Sequence, residues 1–136
     1  MKSVFFYGLF MDESLLREKG FQPTSPVLAY VEDYGLRIGE RATLVKSTGQ
    51  RAYGAIMGLS EKELSVLYSD TSVVDYVPES VIAHIVEGGT RNALSYNLPK
   101  EKLIGKNKGY AKSLAQIARK VGLPMAYVDE VYSWSI

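Results

Sequence analysis

Val4-Phe5-Phe6-Tyr7-Gly8-Leu9-Phe10-Met11 is the stretch that decides the fold of this chain. Its unbroken apolar and aromatic run reads as a buried strand. The run stops at Gly8, and Asp12 then opens an acidic, helix-forming stretch. A glycine at that point lets a ligand approach the main chain closely. The amides that follow are free to donate, because the helix that would use them has barely begun. Residues 8–11 are therefore a candidate cradle for a carboxylate or an oxyanion, against the plainer reading of a strand-to-helix turn.

Outward from this stretch, the first strand is expected over Ser3–Tyr7 and the first helix over Glu13–Lys19, capped by Asp12 and stopped by Gly20. Val27–Ile38 has extended character, interrupted near Glu32–Gly35. Ala42–Lys46 and Arg51–Leu59 flank the turn-rich Ser47-Thr48-Gly49-Gln50 and read as a hairpin. Gly54 and Gly58, four apart, fall on one strand face, where they admit close packing, a bulge or a ligand. Ser60 with Glu63 forms a capping box. The helix it opens carries Leu64, Leu67 and Tyr68 on one face and breaks at Ser69-Asp70-Thr71-Ser72.

Tyr76–Val86 and Arg91–Leu98 read as a second hairpin around Glu87-Gly88-Gly89-Thr90. Lys100–Gly109 reads as a polar loop. Tyr110, Leu114, Ile117, Ala118 and Val121 then recur at helical spacing, closed by Gly122. Pro124 starts a short last helix with Val128, Val131 and Tyr132 on one side. Strands outnumber helices and the hairpins are antiparallel, so the expectation is an α+β plan in one domain over residues 1–136.

Composition narrows the function classes. The 136 residues suffice for one domain that buries roughly two-thirds of its unfolded surface. There is no cysteine, which removes disulfides and thiolate chemistry and makes a reducing compartment the simpler assumption. A net charge of +1 argues against a polyanion binder, so no nucleic-acid partner is expected. Met1-Lys2 runs straight into the first strand, and no apolar run approaches the ~20 residues of a membrane span. The expectation is a soluble, cytoplasmic, bacterial-type protein without a membrane partner.

The lone histidine, His84, lies in a strand-like run, where a structural role is the commoner one. A serine triad has only that residue as its base. No histidine or cysteine cluster points to a metal, no Walker-type loop is present, and no cofactor is expected. What remains are carboxylates, tyrosines and main-chain amides. Asp70 follows Leu67 and Tyr68 at a helix end and precedes a strand, which suits a general base or acid with a raised pKa as well as an ordinary turn residue. Glu79 precedes the Val81–Val86 run, with solvated surface as its commoner fate. Glu40-Arg41 reads as a structural ion pair. The lysines and arginine between Lys100 and Lys120 read as a solvated basic face.

Tyr7-Gly8-Leu9-Phe10-Met11 resembles the opening signature of the γ-glutamylcyclotransferase-like superfamily, an apolar strand ending in Tyr-Gly, a variable pair and Leu or Met. Arg51–Leu59 is similar to the family's Gly-rich strand leading into a helix. Leu67–Tyr76 followed by Val81–Val86 is similar to its segment of leucine, acidic residue, loop, tyrosine and β-run. The resemblance covers roughly residues 3–98. It implies a small mixed β-barrel with a few surrounding helices and a cavity at one end. It also implies a small γ-glutamyl-type ligand held at Tyr7, Gly8, Leu9 and Phe10, with Tyr76 and Tyr110 as further wall residues.

The implied reaction is cofactor-independent. A γ-glutamyl amine or related small amide closes to 5-oxoproline as its α-amine attacks the γ-carbonyl, and one carboxylate moves the protons. The family's glutamate lies four residues after the leucine, usually followed by glycine. Counted from Leu67, that position holds Thr71, followed by Ser72. Asp70 stands one position earlier and is one methylene shorter. Leu9-Phe10 is bulkier than the small polar pair common in the family. Two functions follow as expectations. One is a cyclotransferase-type enzyme with Asp70 as acid and base. The other is a catalytically inactive ligand-binding or interaction module on the same barrel. The oligomeric state is not legible.

Overall fold

The computed structural model describes residues 1–136. The N-terminal apolar run forms β1 (Lys2–Phe6), in which Val4, Phe5 and Phe6 are all buried. A single 3-10 turn over Leu9–Met11 leads to Asp12, whose carboxylate accepts from the Ser14 amide at 3.1 Å and caps α1 (Glu13–Glu18). Gly20 follows with φ of 90°, a conformation that stops the helix. β2 (Val27–Ile38) and β3 (Ala42–Leu59) are the long strands. Then come α2 (Glu61–Leu67), β4 (Val77–Ile85) and β5 (Thr90–Asn97), followed by α3 (Lys108–Val121) and α4 (Met125–Ser133). A short 3-10 turn over Lys100–Lys102 interrupts the expected polar loop.

The strands close a five-stranded barrel in the order β1-β3-β2-β4-β5. Every neighbouring pair is antiparallel except the closing pair β1 and β5, which run parallel with Val4 opposite Leu94. The barrel is therefore mixed, as the resemblance implies. α3 and α4 complete one continuous core with the barrel through Ala111, Leu114, Ala118, Tyr127 and Val131. The expected side of α4 is thus half right: Val128 and Val131 are buried, but Tyr127 takes the inward place and Tyr132 is exposed.

The expected hairpin around Ser47–Gln50 is not a hairpin. β3 runs continuously from Ala42 to Leu59 and pairs along its length with β2. The real turn is Gly39-Glu40-Arg41, between Ile38 and its partner Ala42. Register jumps where Glu32 faces Arg51 and Tyr34 faces Lys46, so Asp33 alone stands opposite residues 47–50. Asp33 adopts φ of 61°, and its carboxylate accepts from the Gly49 amide at 2.9 Å. This bulge is the interruption anticipated near Glu32–Gly35.

The capping box is built as expected. The Ser60 hydroxyl accepts from the Glu63 amide at 3.1 Å, and the Glu63 carboxylate accepts from the Ser60 amide at 3.0 Å. Its second oxygen accepts from the Gln22 amide at 2.8 Å, tying the loop before β2 to α2. These amides hold the Glu63 carboxyl below the usual carboxylate range, Gln22 contributing most. Ser60→Ala is expected to lower stability by about 1 kcal/mol, measured as a shift in the urea midpoint at unchanged slope.

Candidate functional site

Antiparallel pairing brings the C-terminal ends of β1 and β5 and the N-terminal ends of β3 and β4 to the same end of the barrel. A cavity of about 710 Å³ opens there. Its wall begins with Phe5, Phe6, Tyr7, Gly8, Leu9 and Phe10, the stretch that opens the chain. α1 adds Leu15 and Glu18, and Lys19 follows. Arg41 and Ala42 come from the start of β3, and Thr71, Ser72 and Val73 from the turn after α2. Tyr68, Tyr76, Tyr96 and Tyr110 complete an aromatic lining.

The tyrosines hold one another and the main chain in place. Tyr7 is buried, and its hydroxyl donates to the Tyr96 carbonyl at 2.6 Å. The Tyr76 hydroxyl donates to the Ala42 carbonyl. Tyr68 stacks on Tyr96 with ring centroids 3.8 Å apart and planes inclined by 8°. Tyr110 is set by the α3 cap, where the Asn107 side chain accepts from the Tyr110 amide at 2.9 Å. Burial pushes the ionisation of Tyr7, Tyr68 and Tyr110 up, and that of Tyr76 to about 12 against the pull of Arg41.

The Tyr-Gly turn shows why residue 8 is glycine. Its φ of −100° is open to any residue. A Cβ there, however, would stand 2.9 Å from the Tyr110 hydroxyl. That hydroxyl also reaches the Leu9 backbone. The close approach expected of a ligand is therefore made by the chain's own Tyr110. The Met11 amide donates to the Gly8 carbonyl at 3.1 Å, so the turn consumes one amide of the expected cradle itself.

Two loops fix the far wall. The Glu40 amide donates to the Ile104 carbonyl at 2.7 Å, and the Asn107 side chain donates to the Glu40 carbonyl at 3.2 Å. The Lys100–Gly109 segment is thereby pinned on the β2–β3 turn, with Tyr110 and Arg41 brought to one cavity. Arg41 does not pair with Glu40, as its position in the sequence suggests. Its guanidinium donates to Asp75 at 3.2 Å and to the Ser72 carbonyl at 3.5 Å. It also lies 5.8 Å from the Tyr76 ring centre.

Of the residues expected at the site, Tyr7, Gly8, Leu9, Phe10, Tyr76 and Tyr110 all line the cavity. Asp70 does not. It sits exposed at the start of a tight turn, where its carboxylate accepts from the Ser72 amide at 2.9 Å and from the Ser72 hydroxyl at 2.8 Å. Those two donors hold it below the ordinary carboxylate range. A base or acid working near neutrality needs the opposite shift. The aspartate closes its own turn in the manner common to Asx residues, and this takes it away from the cavity. Thr71 and Ser72 line the wall instead.

Glu18, exposed on the rim, is the one carboxylate among the lining residues. Glu79 lies exposed beside Tyr34, and His84 stacks on Tyr30 at 5.1 Å; neither touches the cavity. No cluster of three or more His, Asp or Glu side chains is arranged to hold a metal ion. No helix is long and apolar enough to cross a membrane. Of the basic residues between 100 and 120, Lys120 pairs with the α1 cap Asp12 at 2.8 Å, and the others are exposed. Sequence reading missed Arg41, Leu15 and the Tyr68–Tyr96 stack. Tyr68 carried a signal, its place on the buried face of α2, whereas Tyr96 and Arg41 are recruited only by barrel closure.

No family model matches the sequence, and no curated protein matches it. Solved structures do. A γ-glutamyl cyclotransferase superimposes with a TM-score of 0.79 at 19% identity, covering 96% of this chain and 85% of that one. An uncharacterised human protein matches with a TM-score of 0.80 at 21% identity, over 96% of this chain and 85% of its own. YkqA from Bacillus subtilis matches with a TM-score of 0.79 at 20% identity, over 98% of this chain and 54% of that chain. At these identities the likeness establishes the fold, and this chain has the γ-glutamylcyclotransferase-like fold.

Proposed function

We propose that this protein binds a small molecule in the cavity beside the Tyr-Gly turn and has lost the proton carrier of the cyclotransferase reaction. The observation that carries this is the cavity wall itself. Thr71 occupies the place counted for the family glutamate, and Asp70 is turned outward onto Ser72. Cyclisation of a γ-glutamyl amine needs one group that takes a proton from the α-amine and returns it to the leaving amine. A threonine hydroxyl does not do this near neutrality. The surrounding tyrosines do not either, because burial keeps their hydroxyls protonated, and Glu18, the one carboxylate in the lining, stands exposed on the rim rather than in the interior beside the Tyr-Gly turn.

The likeness to a γ-glutamyl cyclotransferase supports a second reading. In it the protein is an enzyme that forms 5-oxoproline, with Asp70 as base and then acid. That reading requires the 70–72 turn to open and release Asp70 from both Ser72 donors. A direct assay for 5-oxoproline over a panel of γ-glutamyl amines and dipeptides separates the two. No product above a no-protein control is the expected result. Turnover that Asp70→Asn abolishes overturns the binding reading in favour of the enzyme. Turnover that survives Asp70→Asn overturns both.

A further inference from the structure

The cavity has an apolar interior and a guanidinium fixed in its wall. Phe5, Phe6, Phe10, Leu15 and Val73 supply side chains with no hydrogen-bonding group. Two of the tyrosine hydroxyls are spent on the chain, Tyr7 donating to the Tyr96 carbonyl and Tyr76 to the Ala42 carbonyl. The ammonium of a zwitterionic amino-acid head finds no carboxylate in that interior, Glu18 being exposed on the rim, and would lose its hydration without full repayment. An apolar or aromatic body loses nothing of the kind, and ring faces such as the Tyr68–Tyr96 stack are suited to receive it.

Charge at the cavity is set by Lys19 and Arg41 against Glu18. Arg41 is the better placed cation. Asp75 and the Tyr76 ring hold it, and its side chain is 30% exposed, so it is both anchored and accessible. Asp75 accepts from one terminal nitrogen, and the bond of the other to the Ser72 carbonyl is long at 3.5 Å. A guanidinium has five N–H donors in a planar fork, so a second carboxylate fits beside the first.

Building on the binding reading above, we propose that the ligand is a small aromatic or branched-apolar carboxylic acid. Its body lies between the phenylalanines and the tyrosine faces, and its carboxylate rests on Arg41. This separates the protein from a γ-glutamyl binder, whose ligand carries its charges on an amino-acid head.

Hydrocinnamate and its neutral amide, hydrocinnamide, share one apolar body and differ in the charge. Calorimetric titration of both into the wild-type protein, and into Arg41→Gln, tests the assignment. The acid is expected to bind at a single saturable site, with the amide weaker by at least about tenfold. Arg41→Gln is expected to abolish that preference while the amide still binds, a readout that a mere loss of packing does not produce. Absence of acid binding, equal binding of acid and amide, or an undiminished preference in Arg41→Gln each overturns the proposal. Should Arg41→Gln fail to fold, Lys19→Gln takes its place: the preference for the acid is expected to persist there because Arg41 remains, and its loss overturns the assignment to Arg41. Failure of the acid to bind rejects this ligand class, whereas 5-oxoproline production rejects the binding reading beneath it.

Discussion

Between about pH 10 and 12 the protein is expected to unfold in one cooperative step, with phenolate absorbance of the buried tyrosines and far-ultraviolet dichroism changing together. Tyr7, Tyr110 and Tyr127 all have their ionisation pushed up, burial being the largest cause for each. Unfolded tyrosines ionise near pH 10, whereas the folded protein keeps these three protonated. Above that value the folded state binds more protons than the unfolded state, so stability falls as pH rises. The contribution is fully present below about pH 10 and drains until each folded value is passed. Each such tyrosine removes about 1.4 kcal/mol per pH unit, so three remove about 4. Against a total of roughly 5–15 kcal/mol for a domain, the about 8 kcal/mol removed over two pH units is half or more. Gradual phenolate formation with unchanged dichroism through pH 12 would refute this account.

The second large effect lies at Gly54. This residue pairs with Ala29 on β2, while its neighbour Ala55 faces Phe6 on β1. A Cβ at Gly54 would collide with the Phe6 carbonyl and stand 3.1 Å from the Phe5 ring. The first obstacle is backbone and has no rotamer to move into. Gly54→Ala is therefore expected to cost about 3 kcal/mol, at the upper end for an overpacked core, by forcing β1 away from β3. Because Phe6 leads directly into Tyr7 and Gly8, the displacement also reaches the cavity. Gly49→Ala is a useful contrast. Its φ of 85° makes alanine strained, but nothing lies near its Cβ, so the cost stays near 1 kcal/mol. Urea unfolding of the two variants side by side checks the ranking, and a Gly54→Ala cost no greater than that of Gly49→Ala would reject it.

Local signals in the sequence located most elements, because their causes are local. The capping box at Ser60 and Glu63, the spacing of Leu114, Ala118 and Val121, and Gly122 with φ of 93° depend on residues a few positions apart. The Ser47–Gln50 error has a physical cause. The residue types that turn a chain into a hairpin also suit an outward bulge, and the difference rests with Asp33 on another strand. The true turn at Gly39–Arg41 offers one glycine as a signal, and it is needed because the Ile104 carbonyl packs against it. At the site, the Tyr-Gly stretch was legible because strand and turn are continuous in sequence. Asp70 was misplaced because an acidic residue at a helix end looks the same whether it faces a cavity or closes its own turn. Arg41 was read as the partner of adjacent Glu40, while Asp75, 34 positions away, holds it.

Barrel closure carries a consequence for how the molecule is made. β1 leaves the ribosome before the other four strands, yet it lies between β3 and β5 in the closed ring. Its parallel contact joins Val4 to Leu94, across most of the chain. β2 and β3 meet through a tight local turn, and so do β4 and β5, so these two ribbons form early. The first strand synthesised is thus among the last to find both neighbours, and until β5 emerges Val4, Phe5 and Phe6 belong to a sheet with an open margin. Such a margin is a template for pairing with another nascent chain. Two of these residues, Phe5 and Phe6, line the cavity in the finished molecule and are among the residues most in need of shelter while it is being synthesised.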